Sequence, residues 1–150
     1  MAAVKFLLLT ALTVTALMVA CSRPSQIAKQ TDVELSPEAR LQQIPPADPH
    51  KYAAMRDMKD WRNPYLIIKA NGVALLDAAN HEERLLKFEE LAQTLASLPS
   101  SAWPYGRVVG VSDQAIFARE QDRVLIRKNR AIVAGTLESM HVLINWVPSA

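Results

Sequence analysis

Three histidines, His50, His81 and His141, are the side chains of this chain that could serve as general bases near neutral pH. His50 lies in a proline-rich stretch that gives little control over its position. The other two fall at the ends of predicted helices, where a solvated histidine is the ordinary case. We therefore predict no catalytic residue, and a hydrolase with a dispersed site is kept as an alternative.

The run His81-Glu82-Glu83 has the residue types of a metal site but the wrong spacing. Successive side chains of a helix point about 100° apart, whereas helical ligands of one ion lie four residues apart. The four glycines form neither a dinucleotide-binding nor a phosphate-binding pattern, and no serine stands in a G-x-S-x-G motif. We expect neither a metal nor a cofactor.

The segment Trp103-Pro104-Tyr105-Gly106-Arg107 combines two aromatic residues and an arginine on a stiff loop. This is the composition of a protein-binding hot spot, so Trp103, Tyr105 and Arg107 are the predicted partner-binding residues. In the alternative interpretation, Trp103 and Tyr105 pack on the sheet or on a helix. We expect Trp61 and Trp146 to be buried, because large aromatic residues dominate small cores. An exposed sheet edge is a further candidate for binding.

An uncharged apolar run from Phe6 to Ala20 follows the single early charge of Lys5. As a helix the run would be roughly 22 Å long, which is short of the ~30 Å core of a bilayer. A charged start, a short apolar stretch and small residues near its end are typical of a secretory signal peptide. The sequence therefore predicts that residues 1–20 are removed.

The segment Leu17-Met18-Val19-Ala20-Cys21 resembles a bacterial lipobox and contains the only cysteine of the chain. Met18 departs from the motif, which prefers leucine there. The resemblance implies that Cys21 is lipidated and becomes the new N-terminus, so that it is neither a nucleophile nor a metal ligand. The alternative is an ordinary signal peptide, which would leave a free or disulfide-bonded thiol.

Lipidation of Cys21 predicts a cell-envelope protein that is anchored in a membrane and faces the periplasm. Ser22 stands where an aspartate would favour the inner membrane, so the outer membrane is expected in a diderm cell. Removal of residues 1–20 lowers Lys+Arg from 17 to 16, against 15 Asp+Glu. Since nucleic-acid binding needs a basic excess, this nearly neutral chain predicts no nucleic-acid partner.

Three regions are predicted: a signal peptide over residues 1–20, a lipid-anchored proline-rich tether over residues 21–60, and a globular α/β domain over residues 61–150. Proline-rich stretches favour extended chain and cannot build a core. Two pieces of the tether are candidate helices that could dock on the domain. One starts at Ser36 as N-cap with Pro37 in the first turn, and the other spans residues 49–61.

The domain reads as β-β-α-β-α-β. Asn71-Gly72 between two apolar runs predicts a hairpin of residues 65–70 and 73–77. A helix is expected over residues 81–98, a strand over 107–112, a helix over 122–140 and a strand over 141–147. The helical spacing predicts that the second helix buries Ile126, Ile132 or Val133, Leu137 and Met140. The fold class is α+β, a two-layer sandwich with both helices on one face of a small mixed sheet. The other face is uncovered unless a tether helix lies on it.

Residues 64–147, with the phrases YLIIKANGVALLD, FEELAQTLASLP, GRVVGVSD and NRAIVAGTLESMHVLINW, resemble the periplasmic domain of ExbD/TolR-type proteins. The resemblance implies the same fold, and dimerisation through the sheet edge. Those proteins carry a carboxylate in a membrane helix for proton-driven work, and residues 6–20 contain none. Motor function is therefore not transferred.

The predicted function is that of a non-enzymatic envelope lipoprotein whose domain binds another envelope component, with a homodimer as one candidate assembly. The alternatives are an ExbD/TolR-like accessory of an energy-coupled complex and a periplasmic hydrolase.

Overall fold

The structure is a computed structural model that describes residues 35–55, 58–77, 82–116 and 118–148. The helices are α1 (Pro37–Gln42), α2 (Phe88–Ser97) and α3 (Glu120–Ser139). The strands are β1 (Tyr65–Lys69), β2 (Gly72–Leu76), β3 (Glu83–Leu86), β4 (Val108–Asp113) and β5 (Leu143–Trp146). Short 3₁₀ helices cover Pro49–Lys51, Met58–Asp60 and Ser100–Ala102.

The described strands form one mixed sheet in the order β3-β2-β1-β4-β5. β1, β2 and β3 are antiparallel neighbours, whereas β4 is parallel to β1 and β5 is parallel to β4. The predicted α+β class, with α2 and α3 on one face of a mixed sheet, is confirmed. β3 and β5 are the two edge strands, so each has a neighbouring strand on only one side in the described sheet.

The predicted hairpin is confirmed, with Lys69 paired to Gly72 across a tight turn. Gly72 has φ +150°, and a Cβ atom there would lie 3.0 Å from the carbonyl oxygen of Leu86 in β3. Glycine is therefore needed at this position for β3 to approach β2.

The predicted helix over residues 81–98 is wrong in its first part. Residues 83–86 are β3, and the helix begins only at Phe88. The apolar residues Leu85, Phe88, Leu91 and Leu95 keep a helical spacing, but a short apolar run fits a strand equally well. Tertiary structure decided between them, because β3 gives β2 its second hydrogen-bonding partner and buries Leu86 in the core.

The main core lies between the sheet and the helices. The sheet side is built from Leu66 and Ile68 of β1, with alternating residues of β2 and β4, as expected when one face of a strand is buried. The predicted buried face of α3 is confirmed at four positions: Ile126, Val133, Leu137 and Met140.

The compact unit begins at Glu34, whereas the predicted boundary was residue 61. The predicted helix after Ser36 is present as α1, and its N-cap is confirmed because the Ala39 N–H donates to Ser36 Oγ at 3.2 Å. Leu41 and Ile44 join the main core. These two apolar residues hold α1 on the domain, as the sequence had allowed for a docked tether helix.

The predicted helix over residues 49–61 is replaced by 3₁₀ helices at Pro49–Lys51 and Met58–Asp60. Tyr52, Met55 and Trp61 form a second cluster with Tyr65, Tyr105 and Val108, on the sheet face opposite the helices. Part of that face is therefore covered, as the sequence had allowed.

Among the described residues, no helix combines the length and the apolar character that crossing a bilayer requires. The predicted signal peptide and Cys21 lie outside the described residues.

Candidate functional site

The predicted hot-spot loop is buried. Trp103 is 3% exposed and belongs to the main core, and Tyr105 is 8% exposed and belongs to the second cluster. The Tyr105 ring lies 5.4 Å from that of Trp61, and its hydroxyl donates to the Asp60 carbonyl at 3.0 Å. Both rings therefore pack inside the domain, as the alternative interpretation expected, and neither is exposed to a partner in this structure.

The loop is already occupied by the chain's own residues 45–51, which we call the strap. The Asp48 N–H donates to the Tyr105 carbonyl and the Arg107 N–H donates to the Pro45 carbonyl, both at 2.9 Å. Gly106 has φ +78°, and a Cβ atom there would lie 2.1 Å from the carbonyl oxygen of Pro46. The strap therefore crosses directly over Gly106 and closes this loop to an outside partner.

Arg107 is half-buried and works chiefly through its backbone. Its N–H binds the strap, and its carbonyl accepts the Leu143 N–H at 2.9 Å at the start of β5. Its side-chain Nε is buried without a hydrogen-bond partner in the described part of the chain. Arg107 therefore connects the strap to the edge strand through its backbone.

Asn63 is a buried residue that sequence reasoning missed. Its side-chain amide donates to the carbonyls of Gly106 and Val108, each at 2.7 Å, and its carbonyl accepts the Tyr105 N–H at 2.9 Å. The side chain thus holds three backbone groups of the loop at once. The signal that could have found it is the dipeptide Asn63-Pro64 directly before a strand, which is typical of a turn.

The histidines are not assembled into a site by the described structure. His50 and His141 are exposed, and His81 lies outside the described residues. In the ranges that the structure describes, no group of three metal-ligating side chains is found. The one carboxyl group whose pKa is clearly shifted in those ranges is at the start of α1, where hydrogen bonds from the Glu38 backbone and the Ser36 hydroxyl lower the pKa of Glu38.

Among the described residues, the aromatic side chain in the exposed class is Trp146, on the edge strand β5. It is 39% exposed, whereas Trp61 is buried. Burial of Trp61 was predicted correctly and burial of Trp146 was not. The guanidinium carbon of Arg130 lies 3.9 Å from the centre of the Trp146 ring, and Arg130 also binds Asp113 at 3.3 Å. A tryptophan at an edge has no neighbouring strand to cover it, so its ring is covered by α3 on one side only.

Leu143, at the other end of β5, is 55% exposed. It pairs with Val108, and Trp146 pairs with Val111, so the two side chains lie on opposite faces of the sheet. We call Arg130, Leu143 and Trp146 the β5 surface. A strand or loop placed against this edge would contact all three residues.

The backbone of β5 is also open on its outer side. The N–H groups of Leu143 and Val147 donate inward, to the carbonyls of Arg107 and Val111. In a parallel pair the intervening residues point the other way, so the N–H and C=O groups of Ile144 and Trp146 face outward. The β5 surface therefore offers both backbone hydrogen bonds and apolar side chains.

Comparison with protein-family models, with curated proteins and with solved structures finds no match to this chain. The likeness to ExbD/TolR-type domains and the lipidation of Cys21 stay predictions from the sequence.

Proposed function

We propose that this chain is a non-enzymatic cell-envelope lipoprotein, anchored through Cys21, whose α+β domain binds another envelope protein through the β5 surface. The observation that carries the binding role is the exposed Trp146 ring stacked under Arg130 at an open sheet edge. Tryptophan and arginine are the residue types most enriched in interface hot spots. The anchor is supported by the apolar run before Cys21.

Arg130 is held in place before any partner arrives. Its guanidinium binds Asp113 on one side and the Trp146 ring on the other. A side chain that is already ordered loses less conformational entropy on binding. The pair therefore supports a binding role better than Arg123 and Arg127 of α3, whose ion pairs within the described part of the chain are with Glu120 at the start of the same helix.

The proposed anchor determines how firmly the domain is held at a membrane and which membrane that is. Each methylene buried in a bilayer contributes about 0.8 kcal/mol, and two or more acyl chains hold a protein stably where one does not. The absence of an aspartate after Cys21 favours the outer membrane.

The binding role is tested by a photo-crosslinking residue at Leu143 of the full chain in its native envelope. We expect one defined adduct, and Trp146→Ala should weaken its formation at least about 30-fold, as expected for loss of a hot-spot residue. Val124→Ala is the matched control, because Val124 is an exposed apolar residue on α3. Adducts that persist in Trp146→Ala would contradict the proposal. Mass spectrometry of the mature N-terminus tests acylation of Cys21 separately.

An ExbD/TolR-like accessory is the second candidate, and the open β5 edge favours it. Antiparallel pairing of β5 with β5 of a second copy would satisfy the outward backbone groups of Ile144 and Trp146 in both copies. Sedimentation of the full chain should then show a dimer that Trp146→Ala weakens. A strictly monomeric protein at high concentration would exclude this candidate and leave a partner of another kind.

A further inference from the structure

A hollow of about 660 Å³ opens at the end of the sheet where β1 begins and β2 ends, beside the chain that follows α2. Its walls come from residues 62–64 before β1, from residues 75–77 of β2 with Arg84 of β3, and from residues of the 98–104 segment. A hollow of this volume falls within the range of small-molecule sites. No residue of the β5 surface lines it.

The inner wall of the hollow is apolar. Leu75 is 9% exposed and belongs to the main core, and Leu98 and Ala102 are half-buried against that core. An apolar group placed in the hollow would cover the part of these side chains that the domain leaves in water. Its burial is therefore favourable in this position.

The wall offers few backbone hydrogen bonds to a ligand. Pro64, Pro99 and Pro104 line it and have no N–H group. β2 lies between β1 and β3, so its backbone groups bond within the sheet, and the Asn63 amide is already used on the Trp103–Arg107 loop. An extended peptide binds through its backbone, whereas a hydrocarbon chain needs no hydrogen bond. The wall therefore favours a hydrocarbon chain over a peptide.

The rim of the hollow has an excess of positive charge. Arg62 and Arg84 are exposed, and in the described part of the chain neither guanidinium has a hydrogen bond or an ion pair. Asp77 also lines the hollow, and it already has an interaction of its own. Even with Asp77 counted in full, the lining has two positive groups against one negative group. Because a guanidinium binds a carboxylate or a phosphate through paired N–H donors, the rim favours an anionic head.

We propose that this hollow binds a free amphipathic anion, which is a single apolar chain that ends in a carboxylate or a phosphate. The apolar chain lies against Leu75, Leu98 and Ala102, and Arg62 and Arg84 hold the head. The inference goes beyond the proposed binding role of the β5 surface and does not depend on it, since the two sites share no residue.

The test is a titration of the full chain, held in nanodiscs of a zwitterionic lipid, with octanoate and with octyl phosphate. NMR follows the guanidinium Nε–H signals of Arg62 and Arg84 and the methyl signals of Leu75 and Leu98. We expect saturable shifts of both sets of signals with at least one of the two anions, and the comparison shows which head is preferred.

The two parts of the ligand are tested separately. The preferred anion should bind more tightly than its hexyl counterpart, by up to about four-fold for each methylene removed, because the chain is buried on the apolar wall. Uncharged octanamide should bind about five-fold more weakly or less, because it cannot pair with the two arginines.

Variants of the chain sharpen the test. Arg62→Gln and Arg84→Gln should each weaken binding about five-fold, the upper range of an exposed ion pair, whereas Arg127→Gln on α3 should leave it unchanged. Ser101→Glu adds a negative charge to the lining and should weaken binding by a similar factor. Ser100→Glu is the matched control, because Ser100 is exposed in the same 3₁₀ helix but does not line the hollow.

Shifts that do not saturate with either anion would overturn the inference. So would equal binding of octanamide or of the hexyl compound, or binding that neither arginine variant changes. A response only to an anionic phospholipid built into the nanodisc would also overturn it, because the proposed ligand is a free single-chain anion. Trp146→Ala should leave anion binding unchanged, so failure of this site and failure of the proposed β5 function give different results.

Discussion

The Trp103–Arg107 loop and the β5 surface contain the same kinds of residue, aromatic rings and an arginine, but differ in what covers them. In the loop, Trp103 and Tyr105 are enclosed by the core and by the strap. On β5, Trp146 is covered by Arg130 alone on its exposed side and keeps much of its ring in solvent. Composition therefore identifies residues whose burial is strongly favourable. Whether they are buried inside the domain or left exposed for a partner depends on the chain that packs around them.

The largest difference should appear when each tryptophan is truncated. Trp103→Ala should lower the free energy of unfolding by about 3–5 kcal/mol, because a fully packed ring is removed from the core. Trp146→Ala should lower it by less than about 1 kcal/mol, since an exposed edge residue leaves no closed cavity. Urea unfolding measures both. Equal losses in the two variants would mean that the two regions do not differ as described.

Asn63→Ala should cost about 3 kcal/mol, because it leaves two buried carbonyls and the Tyr105 N–H without their partner. Asn145→Ala, at a half-buried position on β5, is the control and should change stability by less than about 1 kcal/mol. Thermal unfolding of both variants gives the comparison. If the two substitutions cost the same, Asn63 does not organise the loop.

Gly106→Ala should destabilise the protein by about 2 kcal/mol, because it puts a side chain on a left-handed residue and pushes Pro46 of the strap away from the loop. Exchange of the Asp48 and Arg107 amides should accelerate in the same variant, since both donate across this contact. Gly135→Ala is the opposite control. With open space around it on helix α3, it should stabilise by up to about 1 kcal/mol.

The Arg130–Trp146 contact should contribute little to folding. A double-mutant cycle of Arg130→Ala and Trp146→Ala should give a coupling of about 0.5–1 kcal/mol in the free domain, the range of an exposed cation–π pair. Urea unfolding of the four proteins measures it. A coupling well above that range would show that the pair stabilises the fold, and its role in binding would then lose its main support.

The smallest effect concerns pH and α1. The pKa of Glu38 is lowered from its ordinary value of 4.5 by hydrogen bonds to the charged form. A group with a lowered folded pKa stabilises the protein above its unfolded pKa and loses that contribution as pH falls through the folded value. Wild type should therefore exceed Glu38→Gln slightly in stability at neutral pH, and the gap should close in acid. Unfolding curves at several pH values check this, and a gap that widens in acid would contradict it.

Much of the domain could be predicted because local patterns and tertiary demands agreed. The two apolar runs around Asn71-Gly72 pair as expected, although the turn itself is Ala70-Asn71 and Gly72 begins β2, and α3 buries the face that its spacing indicates. The prediction failed at β3, where four residues have a spacing that a helix and a strand share. Only the need of β2 for a partner decided the outcome.

The candidate sites were harder to predict for a related reason. The chain before Trp61 looks like a tether because it is rich in proline and its apolar residues follow no period, yet Leu41 and Ile44 are buried in the core and Trp61 is buried in the second cluster. Once the strap lies on Gly106, the aromatic loop is closed. The exposed apolar residues Trp146 and Leu85 lie instead on the edge strands of the sheet. No local sequence pattern near either residue indicates that its strand is an edge strand.

The amino-acid sequence by itself determined the α+β class, the hairpin, the buried face of α3 and the Ser36-capped helix, because each depends on residues close together in the chain. Tertiary structure alone decided which aromatic residues are buried, where the domain begins and which strands end the sheet. Those properties depend on contacts between residues far apart in the chain, such as the Asp48 N–H donating to the Tyr105 carbonyl.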